Sequence, residues 1–439
     1  MRLTQVLNKH LLGRWFNDKW KGKKDVTISN AKLRSILEAS GKQVYDAVEL
    51  FGVEWKARQM SPARAPQSSV KTPKWESQPS RRSRQHLADP RPEQPQHETP
   101  AYVYTGRNLI MGLQQAQAIT NTIRVGEGLP ERIVALEGLE RLKNQDEMVA
   151  EVIKTSLMFD ATQEKLAKMI DVTRLGLPQP VQYGIPGSRS RLSLLAGLLG
   201  LCERLASRLG GYQSRMVLYK PLLRATNVTA DGHRLVLARR QELALLADRP
   251  LAPVAPPHAV DASRAAAAPE LAPVSPFVHL HQLWQYDWGD VAPVAADCRH
   301  SHVHTLFIGW NGRLEKYVND DQLGALSLMC LYAAALNMAR QQAEPSRPVV
   351  LQCVTTDGRL VKPAVLQLNT LALPDPTSGE VSTRHQPKNM LWTEPAAALY
   401  DVCRYEAGRP RLDGYNADVF PRLLALYMNG LIARTVPQL

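Results

Sequence analysis

Apolar residues recur at helical spacing through the middle of the chain. Leu109, Leu113, Ala116 and Ile123 form one stripe and predict a helix over 108–124, ended by the turn Gly126-Glu-Gly-Leu-Pro130. Further helices are predicted over 145–158 and over 162–170, where Thr162-x-x-Lys165 half resembles a capping box. A strongly amphipathic helix over 191–209 is closed by Gly210-Gly211. The pattern then turns β-rich. A run ending in Thr229-Ala-Asp231-Gly232 and followed by Arg234-Leu-Val-Leu-Ala238 predicts a hairpin, because Asp-Gly suits a turn that needs positive φ.

The C-terminal part mixes element types. A strand is predicted over 304–310, a long helix over 322–342 and a closing helix over 419–429. Between them, 349–355, Asp357-Gly358 and 360–369 form a second hairpin. Both turns carry T-x-D-G followed by R-L-V, though two occurrences do not make a repeat. Residues 322–339 hold no charge, which is the lower limit for a membrane span. Gln322, Ser327 and Asn337 interrupt the stretch, and its alanines suit close packing, so a buried core helix is expected and no membrane span.

The pattern is lost elsewhere. Residues 32–55 read as a short unit, with Leu33, Ile36 and Leu37 on one helical face and Gly41 as a stop. Residues 56–100 have no hydrophobic period, eight prolines, and the cations Lys71, Lys74, Arg81, Arg82 and Arg84. Such a segment cannot bury enough apolar area to offset its ordering entropy. It orders by laying its cations along phosphates, or stays a solvated linker. Residues 248–276 are Pro/Ala-rich and read as a semi-stiff linker. The resulting class is α+β: a basic extended N-terminal arm, a helical middle region, and a C-terminal antiparallel sheet with helices. The expected divisions are 1–24, a basic Pro-rich extension over 25–100, a mainly helical domain with a hairpin over 101–247, the linker, and an α+β domain over 277–439.

Charge sharpens this division. The 439-residue chain carries +13, of which the first hundred residues hold +9, so the body is nearly neutral. The partner is anionic, and the arm is the part that meets it. Residues 1–24 hold seven Lys/Arg and one acid, with Leu3, Leu7, Leu11 and Trp15 at helical spacing. A basic, amphipathic, acid-poor N-terminus is what a mitochondrial transit peptide requires, and no secretory-type apolar run is present. The alternative is a surface helix of the mature protein.

Candidate chemistry is sparse. Five widely spaced cysteines form no CxxC pair, so no zinc ribbon or redox motif can be drawn, and a reducing compartment fits. His300-x-His302-x-His304, with His279-x-His281 upstream, could converge on a metal along a strand, but no Cys or Glu completes a shell, and no metal is expected. Asp357 reads as a turn residue. Asp320-Asp321 reads as a helix start. Gly184-Ile-Pro-Gly187 is a lone turn, although Arg189 and Arg191 beside it could meet a phosphate. Walker, GxSxG and HExxH motifs are absent, so neither cofactor nor catalysis is expected.

Several short strings nevertheless resemble one family in order. They are Gly128-Leu-Pro-Glu-Arg, Asn144-Gln-Asp-Glu147, Pro273-Val-Ser-Pro276 with His279-Leu-His281, Tyr286-Asp287, His304-Thr-Leu, Thr356-Asp-Gly-Arg359, Gln367-Leu-Asn-Thr370, Lys388-Asn-Met-Leu-Trp392 and Leu424-Ala-Leu-Tyr427. From about residue 100 to the end they resemble the animal mitochondrial large-subunit ribosomal protein family numbered thirty-seven, related to programmed cell death protein nine. The resemblance is poorest before residue 100 and around 248–272. It implies a structural component of the mitoribosome in the matrix, with large-subunit rRNA, other mitoribosomal proteins and the related programmed cell death protein nine as partners. No active site comes with it. On this reading Lys71, Lys74, Arg81, Arg82, Arg84, Arg189 and Arg191 are the rRNA-contact candidates. The rival readings are a matrix RNA-processing enzyme using Asp357 or His300–His304, and a transient ribosome assembly factor.

Overall fold

In the computed structural model the chain divides into two units, Met1–Pro92 and Glu93–Leu439. The structure describes residues 38–39, 41, 100–158, 164–165, 183–209, 212–229, 232–266, 269, 271, 274–284, 289–295, 297–310, 318–342, 347–373, 386–406 and 409–431. The expected transit segment, the basic Pro-rich segment and nearly all of 32–55 therefore lie outside the described residues. In the last of these, Gly41 has φ 73° and its N–H donates to the Glu38 carbonyl, as expected of a helix stop.

The second unit begins with β1 (Ala101–Tyr104), α1 (Gly112–Thr120), β2 (Thr122–Arg124), α2 (Glu131–Val134) and α3 (Gln145–Met158). A small pair, β3 (Glu164–Lys165) and β4 (Tyr183–Gly184), precedes α4 (Gly187–Arg208). Next come β5 (Arg215–Tyr219), β6 (Leu222–Val228), β7 (Arg234–Arg240), β8 (Leu243–Ala247), α5 (Pro257–Ala262) and β9 (His281–Leu283). The C-terminal part holds β10 (His302–Gly309), α6 (Asp320–Gln341), β11 (Val349–Thr356), β12 (Leu360–Leu368) and β13 (Asn389–Thr393). It ends with β14 (Ala397–Ala398), β15 (Val402–Glu406), β16 (Arg409–Asp413) and α7 (Val419–Met428).

An eight-stranded sheet runs β2-β13-β12-β11-β10-β8-β5, with β14 added beside β12. Its side chains alternate between two cores, as a strand's period of two requires. Ala244, Leu246, Leu306, Ile308, Leu351 and Leu366 face one core; Leu243, Leu245, Phe307, Val350, Val354 and Val365 face the other. The first core is shared with α1, α6 and the inner face of a four-stranded sheet ordered β6-β7-β1-β9. The second is covered by residues of α3, α4 and α7.

α6 thus lies between two sheets, and this explains its composition. A helix buried on all sides has no use for a polar face, and Leu323–Met338 are all buried. The helix is long and apolar enough to cross a membrane, yet its most apolar stretch is 89% buried within the protein. The three polar interruptions each have a partner. Asn319 and Gln322 form a reciprocal capping box, with Gln322 N–H to Asn319 Oδ1 at 2.8 Å and Asn319 N–H to Gln322 Oε1 at 3.2 Å. Ser327 Oγ lies 2.7 Å from Thr355 Oγ1 on β11. Asn337 Nδ2 donates to the Arg224 and Val291 carbonyls at 3.0 and 2.9 Å.

The fold is α+β, and both Asp-Gly hairpins form: β6 pairs with β7 and β11 with β12, each antiparallel. Gly232 and Gly358 take φ of 81° and 104° at the turns. The sheet is mixed rather than antiparallel, because β10 pairs with β11, β2 with β13 and β1 with β7 in parallel. Joining β10 to β11 through a long helix returns the chain to the same end of the sheet, which makes those neighbours parallel. Nor do 101–247 and 277–439 form separate domains. β8, apolar and buried at all five positions, needs a neighbour on each side. It finds β5 and β10, the latter from beyond the expected linker.

Three further expectations are corrected. The helix expected over 108–124 stops at Thr120, where Asn121 turns left-handed (φ 50°), and Thr122–Arg124 become β2. Residues 164–165 are strand rather than helix; the rest of 162–170 lies outside the described residues. The described part of 248–276 is a packed strap. Gln367 Oε1 on β12 accepts from Val254 and Ala255 N–H at 2.7 and 2.9 Å, and Leu251, Ala255 and Leu271 are buried. Arg132 of α2 holds the same strap through the Ala252 and Pro253 carbonyls.

Candidate nucleic-acid interface

Of the seven rRNA-contact candidates, Lys71, Lys74, Arg81, Arg82 and Arg84 lie outside the described residues. Arg189 sits in the first turn of α4 with its side chain at the surface, 3.4 Å from Glu164 on β3. A surface ion pair of this length is weak.

Arg191 departs from the expectation. Two residues on in the same helix, its side chain points inward and is buried. Its Nη2 and Nε donate to Glu242 Oε1 at 2.7 and 3.2 Å, and its Nη1 donates to the Trp310 carbonyl at 2.9 Å. All of this is possible because residue 309 is glycine: a Cβ there would stand 2.3 Å from Glu242 Oε1 and 2.6 Å from Arg191 Nε. The guanidinium is committed to holding α4 against β10, so it is not a phosphate contact.

Among the described residues, Glu242 is the acid shared by a larger group of cations. Its second oxygen accepts from Lys220. Burial alone would raise its carboxyl pKa, but hydrogen bonds and charge from Lys220 and Arg191 outweigh that, and the value falls below the usual range. Arg239 joins the group by donating to the Gly106 and Gly309 carbonyls at 3.1 and 2.6 Å, and Arg240 by donating to the Lys220 carbonyl at 3.2 Å. Sequence reading passed over Lys220, Arg239 and Arg240. The available signal was the Arg239-Arg240 pair closing a β run, opposite the Lys220-Pro221 corner.

The other polar candidates are structural. His304 is buried with both ring nitrogens engaged: Nε2 is 2.9 Å from the Asn429 carbonyl and 3.0 Å from Arg215 Nη2, and Nδ1 is 2.8 Å from Thr305 Oγ1. Burial, reinforced by the Arg215 charge, holds its pKa well below 6.5, so the ring is neutral. His300 instead contacts the Gln213 carbonyl at 3.0 Å. Among the described residues no group of three or more His, Cys, Asp or Glu is arranged to hold a metal. Asp357 Oδ1 accepts from the Arg359 and Leu360 amides at 2.7 Å, fixing the β11–β12 turn. Asp320 accepts from Lys362 Nζ at 2.7 Å and from the Ala396 amide at 2.9 Å, tying α6 to β12 and the loop before β14.

A body that spends its buried charges on itself suits a packing role, and known proteins point the same way. The family described as Mitochondrial 28S ribosomal protein S30 (PDCD9) matches residues 320–430, the span from α6 through α7. The chain is 28% identical to the Large ribosomal subunit protein mL37 of Rattus norvegicus over 376 residues, 79% of each chain. It is 26% identical to the mL37 proteins of Bos taurus, over 75% of each chain, and Mus musculus, over 79% of each. Each of these mL37 matches covers three quarters or more of both chains, so the chain is similar to mitochondrial ribosomal proteins of the kind its sequence motifs resemble.

Proposed function

We propose that this protein is a structural component of the large subunit of the mitochondrial ribosome and supports mitochondrial translation in the matrix. The observation that carries this reading is the similarity to mL37 proteins over about three quarters of both chains. The fold is consistent with it: the buried Arg191, Glu242, Lys362 and His304 are all taken up by neighbours within the protein. Ribosomal-protein relatives support a structural, non-enzymatic role.

The partners on this reading are large-subunit rRNA and neighbouring ribosomal proteins, among them the related programmed cell death protein nine. Lys71, Lys74, Arg81, Arg82 and Arg84 would bind phosphate oxygens and position the arm without reading sequence, with Arg189 adding a contact from the body. Residues 1–24 would direct import into the matrix.

Sedimentation of a mitochondrial lysate through a sucrose gradient in moderate salt tests the proposal. The protein is expected in the large-subunit and intact-ribosome fractions and to survive a salt wash. Recovery at the top of the gradient overturns it, and recovery with subunit precursors alone makes the protein an assembly factor.

A further inference from the structure

We infer that the corner joining β5 to β6 is a contact site for single-stranded RNA, with Arg240 on a backbone phosphate and Tyr219 stacked on a base. The inference deepens the ribosomal reading and rests on it for the identity of the RNA. Three observations carry it. First, the charge is one-sided. Among the described residues, Arg191, Lys220, Arg239 and Arg240 gather around the carboxylate of Glu242, which Arg191 and Lys220 already share. The neighbouring β11–β12 turn contributes Arg359 and Asp357 in equal number. A protein-binding patch depletes lysine and balances its charges, whereas a phosphate-binding one leaves an excess of cations.

Second, cations of the group reach the surface. Arg240 and Arg107 are exposed, and the Lys220 side chain is 37% exposed at the rim of the buried pair. Arg239 lies flat between the Gly106 and Gly309 carbonyls, so close that a Cβ on Gly106 would overlap its Nη1. Arg107, exposed, follows Gly106 in the chain. Third, an aromatic ring stands at the same corner. Tyr219 is 57% exposed and Leu222, across the turn, 39% exposed. Lys220 between them holds φ 50°, unusual for a residue with a side chain, and is pinned by its N–H to the Glu242 carbonyl at 3.0 Å. Stacking rings beside cations are how sheet surfaces and edges hold unpaired bases, since every base has a π-face.

The test uses the purified full chain, a short single-stranded RNA oligonucleotide, and the variants Tyr219→Ala, Arg240→Glu and Arg107→Glu. Arg411→Glu, on the exposed β15–β16 hairpin, serves as control. Lys220 and Glu242 are left intact so that the buried pair survives, and thermal unfolding verifies folding. Tyr219→Ala is expected to weaken binding about tenfold at constant salt dependence. Each Arg→Glu change is expected to weaken binding and lower the salt slope by about 0.7 for each phosphate no longer neutralised. Unchanged affinity and slope in all three overturn the inference. So does a variant that leaves the large subunit while its RNA binding is intact, since that makes the corner a protein contact. If the wild-type chain fails to sediment with the subunit but the corner variants still weaken RNA binding, the ribosomal reading falls and the corner stands.

Discussion

Arg191 in the first turns of α4 and Glu242 just before β8 meet at 2.7 Å, with both side chains nearly excluded from water. Removing one member of such a pair strands the other charge, so Glu242→Gln is expected to cost about 3 kcal/mol of stability. Replacing both residues with apolar ones of similar size, Arg191→Met with Glu242→Leu, is expected to cost less than either single change. Thermal unfolding of Glu242→Gln, Arg191→Met and the double variant checks this. Equal losses for Glu242→Gln and the double variant would mean that the pair itself stabilises, rather than the avoidance of an unpaired charge.

The capping box at the start of α6 gives a second expectation. Asn319 Oδ1 accepts the Gln322 amide, and without it that donor loses its partner at the end of a helix whose next turns are buried. Asn319→Ala is expected to lower stability by about 1 kcal/mol, and Asn319→Asp by much less, since a carboxylate accepts the same bond and complements the helix dipole. Denaturant unfolding of the two variants measures the difference.

How far these features could be read from the sequence differs from element to element. The charge-free run of α6 and the two Asp-Gly turns were legible because each depends on local chemistry: burial all round, or a turn that needs positive φ. β2 was not, since Ile123 continues the spacing of Ile119 and only Asn121 in its left-handed conformation breaks the helix. The parallel pairings depend on where distant strands meet, which no window of sequence contains. Arg191 shows the same limit at the candidate site. An arginine in a first helical turn reads as surface, and its burial comes from Glu242, Gly309 and Trp310, all far along the chain.

His304 makes stability depend on pH in a definite direction. Its folded pKa lies well below the ordinary 6.5, so below pH 6.5 the unfolded chain takes up a proton that the folded one refuses. The stabilisation is complete above that value and is lost progressively as pH falls toward the folded pKa, by up to about 1.4 kcal/mol per pH unit. His302 is shifted the same way by burial and by Arg347, against Asp248, so the wild-type loss contains both contributions. Denaturant unfolding between pH 7.5 and 5.5, as round experimental settings about the ordinary value, is expected to show a shallower decline in His304→Gln than in the wild type. Parallel curves would remove His304 from the account.

The strap over β12 offers the most local expectation. Gln367 has no solvent exposure, and its Oε1 takes the amides of both Val254 and Ala255. Ala255 N–H is buried and Val254 N–H partly so, and Gln367→Ala leaves both unsatisfied, at about 1–3 kcal/mol for the buried amide and less for the other if the strap stays in place. That cost exceeds what a short segment gains by remaining docked, so the strap is expected to open locally while the sheet beneath stays folded. Hydrogen exchange should report it: faster exchange in the peptide containing Val254 and Ala255, with protection retained in β11 and β12. Arg132 would still grip the Ala252 and Pro253 carbonyls from α2, so opening should be greater in Gln367→Ala with Arg132→Ala than in either alone. Uniform loss of protection across β12 would show instead that the strap and the sheet unfold as one unit.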